Sequence, residues 1–354
     1  PGRLETRRAW TDGSGKLDSQ EMATASRARP TVSATPRLPD CNHYLDRTAA
    51  TPLVPVRLDA DGPTIWCKLE FLNPSGSSKD RIAGYILHKA VRTGKVAPGG
   101  TVVEASSGST SIAMALASAQ LGLKFIAVMP EGVSRERRLI IESYGGEVVF
   151  SPKADGILGA LAAAASIAAE RGAFPPLQFE NPDNPAAHRS RTACEVLGQI
   201  PGGSVDAVVS GVGTGGTLVG LVEGLRDHGC SPTAFAARPV TGLALGAAGA
   251  ECSSFSGRIP GVVDGLSTIY TRFRAERSDS LVELDVPDDK AVELARRLIR
   301  KGFPVGPSSG LNFLAALMVA ERLGPNARIV TVFPDRMERY FSTELFNSSR
   351  AEQQ

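Results

Sequence analysis

A chain of 354 residues with 42% hydrophobic and 21% charged side chains is long enough to bury a sizeable core and to divide it between two lobes. Its 39 basic and 37 acidic residues leave a formal net charge of +2, which gives no electrostatic footing for nucleic acid or an anionic membrane as main partner. The longest apolar run, GALAAAASIAA at 159–169, is too short for a membrane span. Five scattered cysteines without a CxxC pair (Cys41, Cys67, Cys194, Cys230, Cys252) argue against a zinc motif or a disulfide framework, and suit a reducing compartment.

Residues 1–44 are rich in Arg, Ser, Thr and Pro with little apolar periodicity and read as a mobile leader. Residues 1–21 are open to reading as an appended tag. From Met22, the acid-free MATASRARPTVSATPRLP has the character of an organellar transit peptide or of a disordered bacterial leader. After residue 50, short β-branched runs alternate with longer helical ones. TVVEA (101–105), FIAVMP (125–130), EVVF (147–150), DAVVS (206–210) and RIVTVF (328–333) read as buried parallel strands. Helical spacing runs through STSIAMALASAQLG, SRERRLIIESYGG, ADGILGALAAAASIAAERG and DKAVELARRLIRKG. In the last of these, Ala291, Val292, Leu294, Ala295 and Leu298 mark the buried stripe. The alternation predicts an α/β protein with two mostly parallel sheets and a cleft between them, where loops at the carboxyl ends of strands carry the chemistry.

Five loops stand out in chain order. NPSGSSKDR, 73–81, crowds small residues around Lys79; a solvated lysine in a helix-capping loop accounts for it, and so does room cleared for a group bonded to the lysine. EASSGSTS, 104–111, joins strand to helix with hydroxyls and free N–H groups, suited to an anion or to plain capping. QFENPDNPAAH, 178–188, ends on His188, a candidate general base that also reads as a structural histidine. SGVGTGGT, 210–217, lets successive N–H groups converge at a helix start. It is neither a Walker loop, lacking GK[ST], nor a dinucleotide fingerprint, lacking the later acid. GPSSGLN, 306–312, opens a further helix. Cys194 reads as a small buried thiol. One lysine in a cleared pocket plus a phosphate cradle on another strand is most simply explained by pyridoxal phosphate, its aldehyde on the lysine and its phosphate on the glycines.

These motifs, in this order from TPLV at 51 to RYFSTELF at 346, resemble the cysteine synthase and cystathionine β-synthase group of fold-type-II pyridoxal phosphate enzymes, which share the tryptophan synthase β-like fold. The resemblance implies that Lys79 is the Schiff-base residue. Asn73 holds the asparagine position of the lysine motif, Gly213, Thr214, Gly215, Gly216 and Thr217 form the phosphate loop, and Ser308 faces the pyridine nitrogen. Ser107, Gly108, Ser109 and Thr110, with Gln178 and Gly261, are implied to bind substrate, and PDRMERY at 334–340 resembles the group's closing Asp-x-x-x-Arg-Tyr segment. The implied lobes are 45–185, smaller, with Lys79 and the substrate loop and with part of the segment free to cross to the other lobe, and 186–346, larger, with the phosphate loop; 347–354 form a tail. A homodimer in the cytoplasm (or in an organelle, given the leader) and no metal complete the expectation.

Three departures bear on the reaction. Ser109 replaces an asparagine, Ser111 a glycine, and Gly261-Val262-Val263 stands for Gly-Ile-Gly; in addition, Arg191 offers a charge for an unusual substrate. Cys41 and His43 make a poor haem pair. The resemblance implies β-replacement on O-acetylserine or O-phosphoserine through an aminoacrylate, with sulfide or a thiol adding to give cysteine or a related β-substituted alanine. The altered loop leaves two alternatives: a cysteine desulfhydrase, and a catalytically weak cofactor-binding scaffold or regulator.

Overall fold

The computed structural model of the protein describes residues 49–106, 108–241, 258–263 and 265–351. The leader with Met22, Cys41 and His43, the loop residue Ser107, Cys252 and the last three residues lie outside the described residues.

Two β-branched strands open the chain, β1 (Leu53–Val56) and β2 (Ile65–Lys68), followed by α1 (Lys79–Arg92). Next come β3 (Thr101–Ala105), α2 (Ser109–Gln120), β4 (Lys124–Pro130), α3 (Arg135–Ser143), β5 (Glu147–Ser151) and α4 (Gly156–Arg171). The short α5 (Asp183–Ala187) runs through a π-helical turn, His188–Thr192, into α6 (Ala193–Gln199). Then follow β6 (Ala207–Gly211), α7 (Gly216–Asp227), β7 (Thr233–Val240), α8 (Thr268–Glu276), β8 (Leu281–Pro287), α9 (Asp288–Arg300), α10 (Pro307–Leu323), β9 (Ile329–Val332) and α11 (Glu344–Ala351).

The strands form two sheets, as the alternation predicts. The six-stranded sheet runs β1-β2-β9-β6-β7-β8, antiparallel only at the β1–β2 edge. The three-stranded sheet, β3-β4-β5, is parallel throughout. Pairing of Lys68 with Val332 carries β1 and β2 into the six-stranded sheet, although α1 next to them packs on the smaller one. Each sheet is covered on both faces, which is why its central strands are continuously apolar. Leu294, Leu298, Phe313 and Val319 of α9 and α10 fill one side of the large sheet, and Val196, Leu218 and Leu225 of α6 and α7 the other. Ile82, Ile112 and Ile141 from α1, α2 and α3 cover one face of the small sheet, and Ile157, Ala160 and Ala164 of α4 the opposite face. All five residues of the α9 stripe are buried.

Candidate active site

The turn before Lys79 is folded by the residue after it. Asp80 accepts the Ser75 N–H at 2.9 Å, the Ser75 hydroxyl at 2.6 Å and the Ser77 N–H at 3.3 Å. Gly76 has φ +83°, and a Cβ there would stand 2.8 Å from Arg336 Cδ and 2.9 Å from an Arg339 guanidinium nitrogen. The small residues therefore admit the chain's own C-terminal segment: the Ser78 N–H donates to Pro334 O, and the Arg336 N–H to Gly76 O. Ser77, Ser78 and Lys79 face a cavity at the carboxyl ends of the strands. Among the described residues the Lys79 ammonium has no ion-pair partner, and burial holds its pKa below the ordinary lysine value, with Arg339 adding to the shift and Asp335 opposing it.

Beneath the lysine helix lies a buried ion network. Arg81 clamps Glu70 through contacts of 2.5 and 2.6 Å and Glu195 through contacts of 2.8 and 2.7 Å, while Lys68 reaches Glu195 at 2.8 Å. Burial by itself raises the Glu70 carboxyl; the Arg81 charge and hydrogen bonds outweigh it and hold Glu70 at about 2. The Asn73 amide donates to this same Glu70, at its backbone oxygen (2.8 Å) and its carboxylate (3.0 Å). Asn73 thus faces a groove on the outer side of α1 and does not line the Lys79 cavity, contrary to the cofactor role its motif implies.

The glycine loop follows β6 and turns into α7. Gly215, at φ +77°, caps the helix without a side chain of its own, and of the first-turn N–H groups that of Gly216 donates to the Thr214 hydroxyl at 3.4 Å. A Cβ on Gly213 would lie 2.1 Å from Gly261 O, and one on Gly216 would lie 1.8 Å from Asn184 Oδ1. The second contact reveals a residue that motif reading missed. The Asn184 amide donates to Gln178 O at 2.7 Å and to the Thr214 hydroxyl at 2.9 Å, joining the glycine loop to the Gln178 strand end. His188 is buried, bonded through Nε2 to the Thr217 hydroxyl (3.2 Å) and through Nδ1 to that of Thr192 (3.0 Å). Burial pushes its pKa down to about 3, which keeps it neutral; the general-base alternative gives way to a structural one, since it does not line the cavity.

The third wall comes from the small sheet. Gln178 bridges β3 and α2: its Nε2 donates to Ala105 O at 2.8 Å, and its Oε1 accepts the Thr110 hydroxyl at 2.6 Å. Ser109, at the head of α2, is held across the cleft. It donates to Asp335 Oδ2 and accepts from Arg339 Nη1, each at 2.8 Å. Tyr340 OH also donates to Asp335 Oδ2, at 2.6 Å, leaving Oδ1 buried without a partner among the described residues.

Lys79, Ser109, Thr110, Gln178, Gly213, Thr214, Gly215, Thr217, Gly261 and Ser308 all line this one cavity, which holds about 980 Å³ free of protein atoms, open solvent at its mouth included. Gly108 and Gly216 adjoin it through their neighbours, and Val262 and Val263 stand on its wall. Arg137, Asp335 and Tyr340 line it too; of these, Asp335 and Tyr340 belong to the closing segment PDRMERY, whereas no motif marks Arg137. Two expectations fail. Arg191 leaves the cavity to pair with Glu195 at 3.4 Å, and Cys194 is exposed. Among the described residues no cluster of three His, Cys, Asp or Glu side chains is placed to hold a metal.

A free amine with a lowered pKa, a cradle of N–H groups that any side chain would fill, and a hydroxyl at Ser308 fit pyridoxal phosphate in size and chemistry. The profile of the family described as "Pyridoxal-phosphate dependent enzyme" matches residues 45–335. A cysteine synthase of Staphylococcus aureus is 39% identical over 300 residues, 84% of this chain and 94% of that protein. The crystal structure of an O-acetylserine dependent cystathionine β-synthase from Helicobacter pylori superposes with a TM-score of 0.75 at 33% identity, covering 85% of this chain and 97% of the other. A hydrogen sulfide-producing enzyme from Fusobacterium nucleatum gives a TM-score of 0.74 at 30% identity, with 84% and 99% covered.

Proposed function

Because the chain belongs to the family of pyridoxal-phosphate dependent enzymes, we propose that it catalyses β-replacement on an activated serine, O-acetylserine or O-phosphoserine, with sulfide or a thiol as nucleophile. The observation that carries this reading is the convergence of Lys79, the Gly213–Thr217 cradle and the Thr110–Gln178 pair on one cavity. Lys79, the cradle and Ser308 would hold the cofactor. When bound, pyridoxal phosphate supplies an electron sink that weakens the α-C–H bond and the bond to the β-substituent.

The chain's own groups do the rest. Burial lowers the Lys79 pKa, so that more of its amine is free to take the α-proton at neutral pH. The second N–H of Gln178, whose amide the Thr110 hydroxyl fixes by donating to Oε1, and the loop at Gly108–Ser109 orient the donor's carboxylate. Ser308 offers a hydroxyl, a group that leaves the ring nitrogen largely unprotonated. Val262 and Val263 narrow the wall where the β-substituent passes and exclude water from it. Asn73, committed to Glu70, has no part in the set.

The smaller sheet with its substrate loop is proposed to close on the larger one, in a homodimer. A reducing compartment such as the cytoplasm suits the free Cys67, Cys194 and Cys230. The test supplies each donor with sulfide and measures cysteine. Cysteine formed with at least one donor is the expected result; a cofactor-loaded protein that forms none, and whose absorbance no donor moves, overturns the proposal. Desulfhydration of cysteine is the second reading, favoured by Ser109, which stands where the resemblance implies an asparagine and whose hydroxyl is engaged by Asp335 and Arg339. Sulfide released from cysteine faster than cysteine is made would select it.

A further inference from the structure

Gln178 reaches the cavity from a backbone corner that L-residues avoid. Leu177, just before it, has φ +56°, and among the described residues it is the one non-glycine in the left-handed region. Such a conformation persists only where its surroundings impose it. Leu177 O accepts the Glu180 and Asn181 N–H groups, each at 2.9 Å, and the N–H of the next residue, Gln178, is held by one buried carboxyl group. Glu104, the fourth residue of β3, is 3% exposed. It accepts the Gln178 N–H at 3.1 Å and its neighbour Ala105's N–H at 3.0 Å. The left-handed residue turns the chain so that the Gln178 N–H meets the Glu104 side chain on β3. The side chain of Gln178 is then clamped between Ala105 O, at the β3 end that Glu104 also anchors, and Thr110 Oγ1, at the α2 start.

We propose that Glu104 is a positioning residue for the amino-acid donor: it holds the strained Leu177–Gln178 corner so that Gln178 and Thr110 present a preformed carboxylate site. This rests on the β-replacement reading, in which that pair receives the donor. Glu104 touches neither donor nor cofactor in this role, since it is not among the residues lining the cavity. The Glu104 side chain therefore shapes affinity for the donor and leaves the Lys79 chemistry alone.

The experiment uses the cofactor-loaded protein with Glu104→Gln and Glu104→Ala, each with and without Leu177→Gly. Glutamine replaces one accepting oxygen by a donor facing N–H groups, and alanine removes both. Each single variant should raise the donor KM about tenfold with kcat within about threefold. Each should also speed hydrogen–deuterium exchange at the 177 and 178 amides at least tenfold. Glycine adopts the left-handed corner without a Cβ penalty, so adding Leu177→Gly should recover most of the lost KM. Unchanged KM and exchange in whichever single variant folds overturns the proposal. Equal losses in kcat and in cofactor absorbance, unrescued by glycine, overturn it too, by showing a general packing role. A wild-type protein that turns over no β-substituted serine would instead sink the functional reading, and the exchange data would still judge the corner.

Discussion

Lys79 is unpaired among the described residues and has its pKa lowered by burial, whereas the neighbouring cations Lys68 and Arg81 are fully committed to carboxylates. Chemistry at this one amine predicts that Lys79→Ala abolishes the long-wavelength absorbance of the lysine-linked cofactor and lowers turnover by at least ~10²–10⁴, the contribution usual for a positioned base; spectra and initial rates check both. The glycine cradle makes an equally local prediction. Gly216→Ala drives a methyl into Asn184, and Gly213→Ala drives one into Gly261 O. Either should weaken cofactor retention at least tenfold in a titration of cofactor-free protein, while the secondary structure seen by circular dichroism stays in place.

At the scale of elements, the start of α1 is held from below as well as from the front. Arg81 links Glu70, ahead of the helix, to Glu195 of α6, and Thr51 joins the same cluster through the Glu70 carboxylate at 2.6 Å. Removing one partner of a buried pair leaves an uncompensated charge, so Arg81→Met should cost about 3–5 kcal/mol in urea unfolding. A loss below about 1 kcal/mol would show the network to be solvated. Elements also divide by how well their residues announce them. TVVEA and DAVVS are legible because buried parallel strands are runs of β-branched residues. β7, TAFAARPV, is half alanine and proline, and β8, LVELDVP, is an edge strand whose outward positions carry acids; both escape a search for apolar runs.

At the scale of the whole molecule, the shifted groups set a pH profile. His188 and Glu70 fold with pKa values of about 3 and about 2, below the roughly 6.5 and 4.5 of the unfolded chain, so the unfolded state binds the extra protons. Their stabilisation is complete above those unfolded values and is lost as pH falls towards 3 and 2. Glu104 runs the other way: burial raises it to about 8, so its contribution is complete below about 4.5 and is lost as pH rises through 8. Unfolding midpoints measured from pH 3 to 9 should therefore peak in the mildly acidic range. His188→Gln should flatten the acid limb and Glu104→Gln the alkaline one; limbs unmoved by these substitutions would contradict the assignment.

The reagents of the site were legible because each is a contiguous motif. A lysine among small residues, a strand–glycine–helix loop and a serine-rich helix start need only neighbouring residues to be recognised. The sequence by itself determined the α/β architecture and singled out the lysine and glycine loops that the proposed site is built on, since hydrophobic periodicity and turn chemistry act over a few residues. It also misplaced Asn73 and Arg191, because a motif does not say which way a side chain turns. Tertiary structure alone decided that Ser109 is engaged by Asp335 and Arg339, that Asn184 joins the glycine loop to Gln178, and that Glu104 meets the Gln178 N–H. Those hydrogen bonds join residues from 30 to 230 positions apart, across two sheets, and no local pattern encodes a contact that exists only once both sheets have formed.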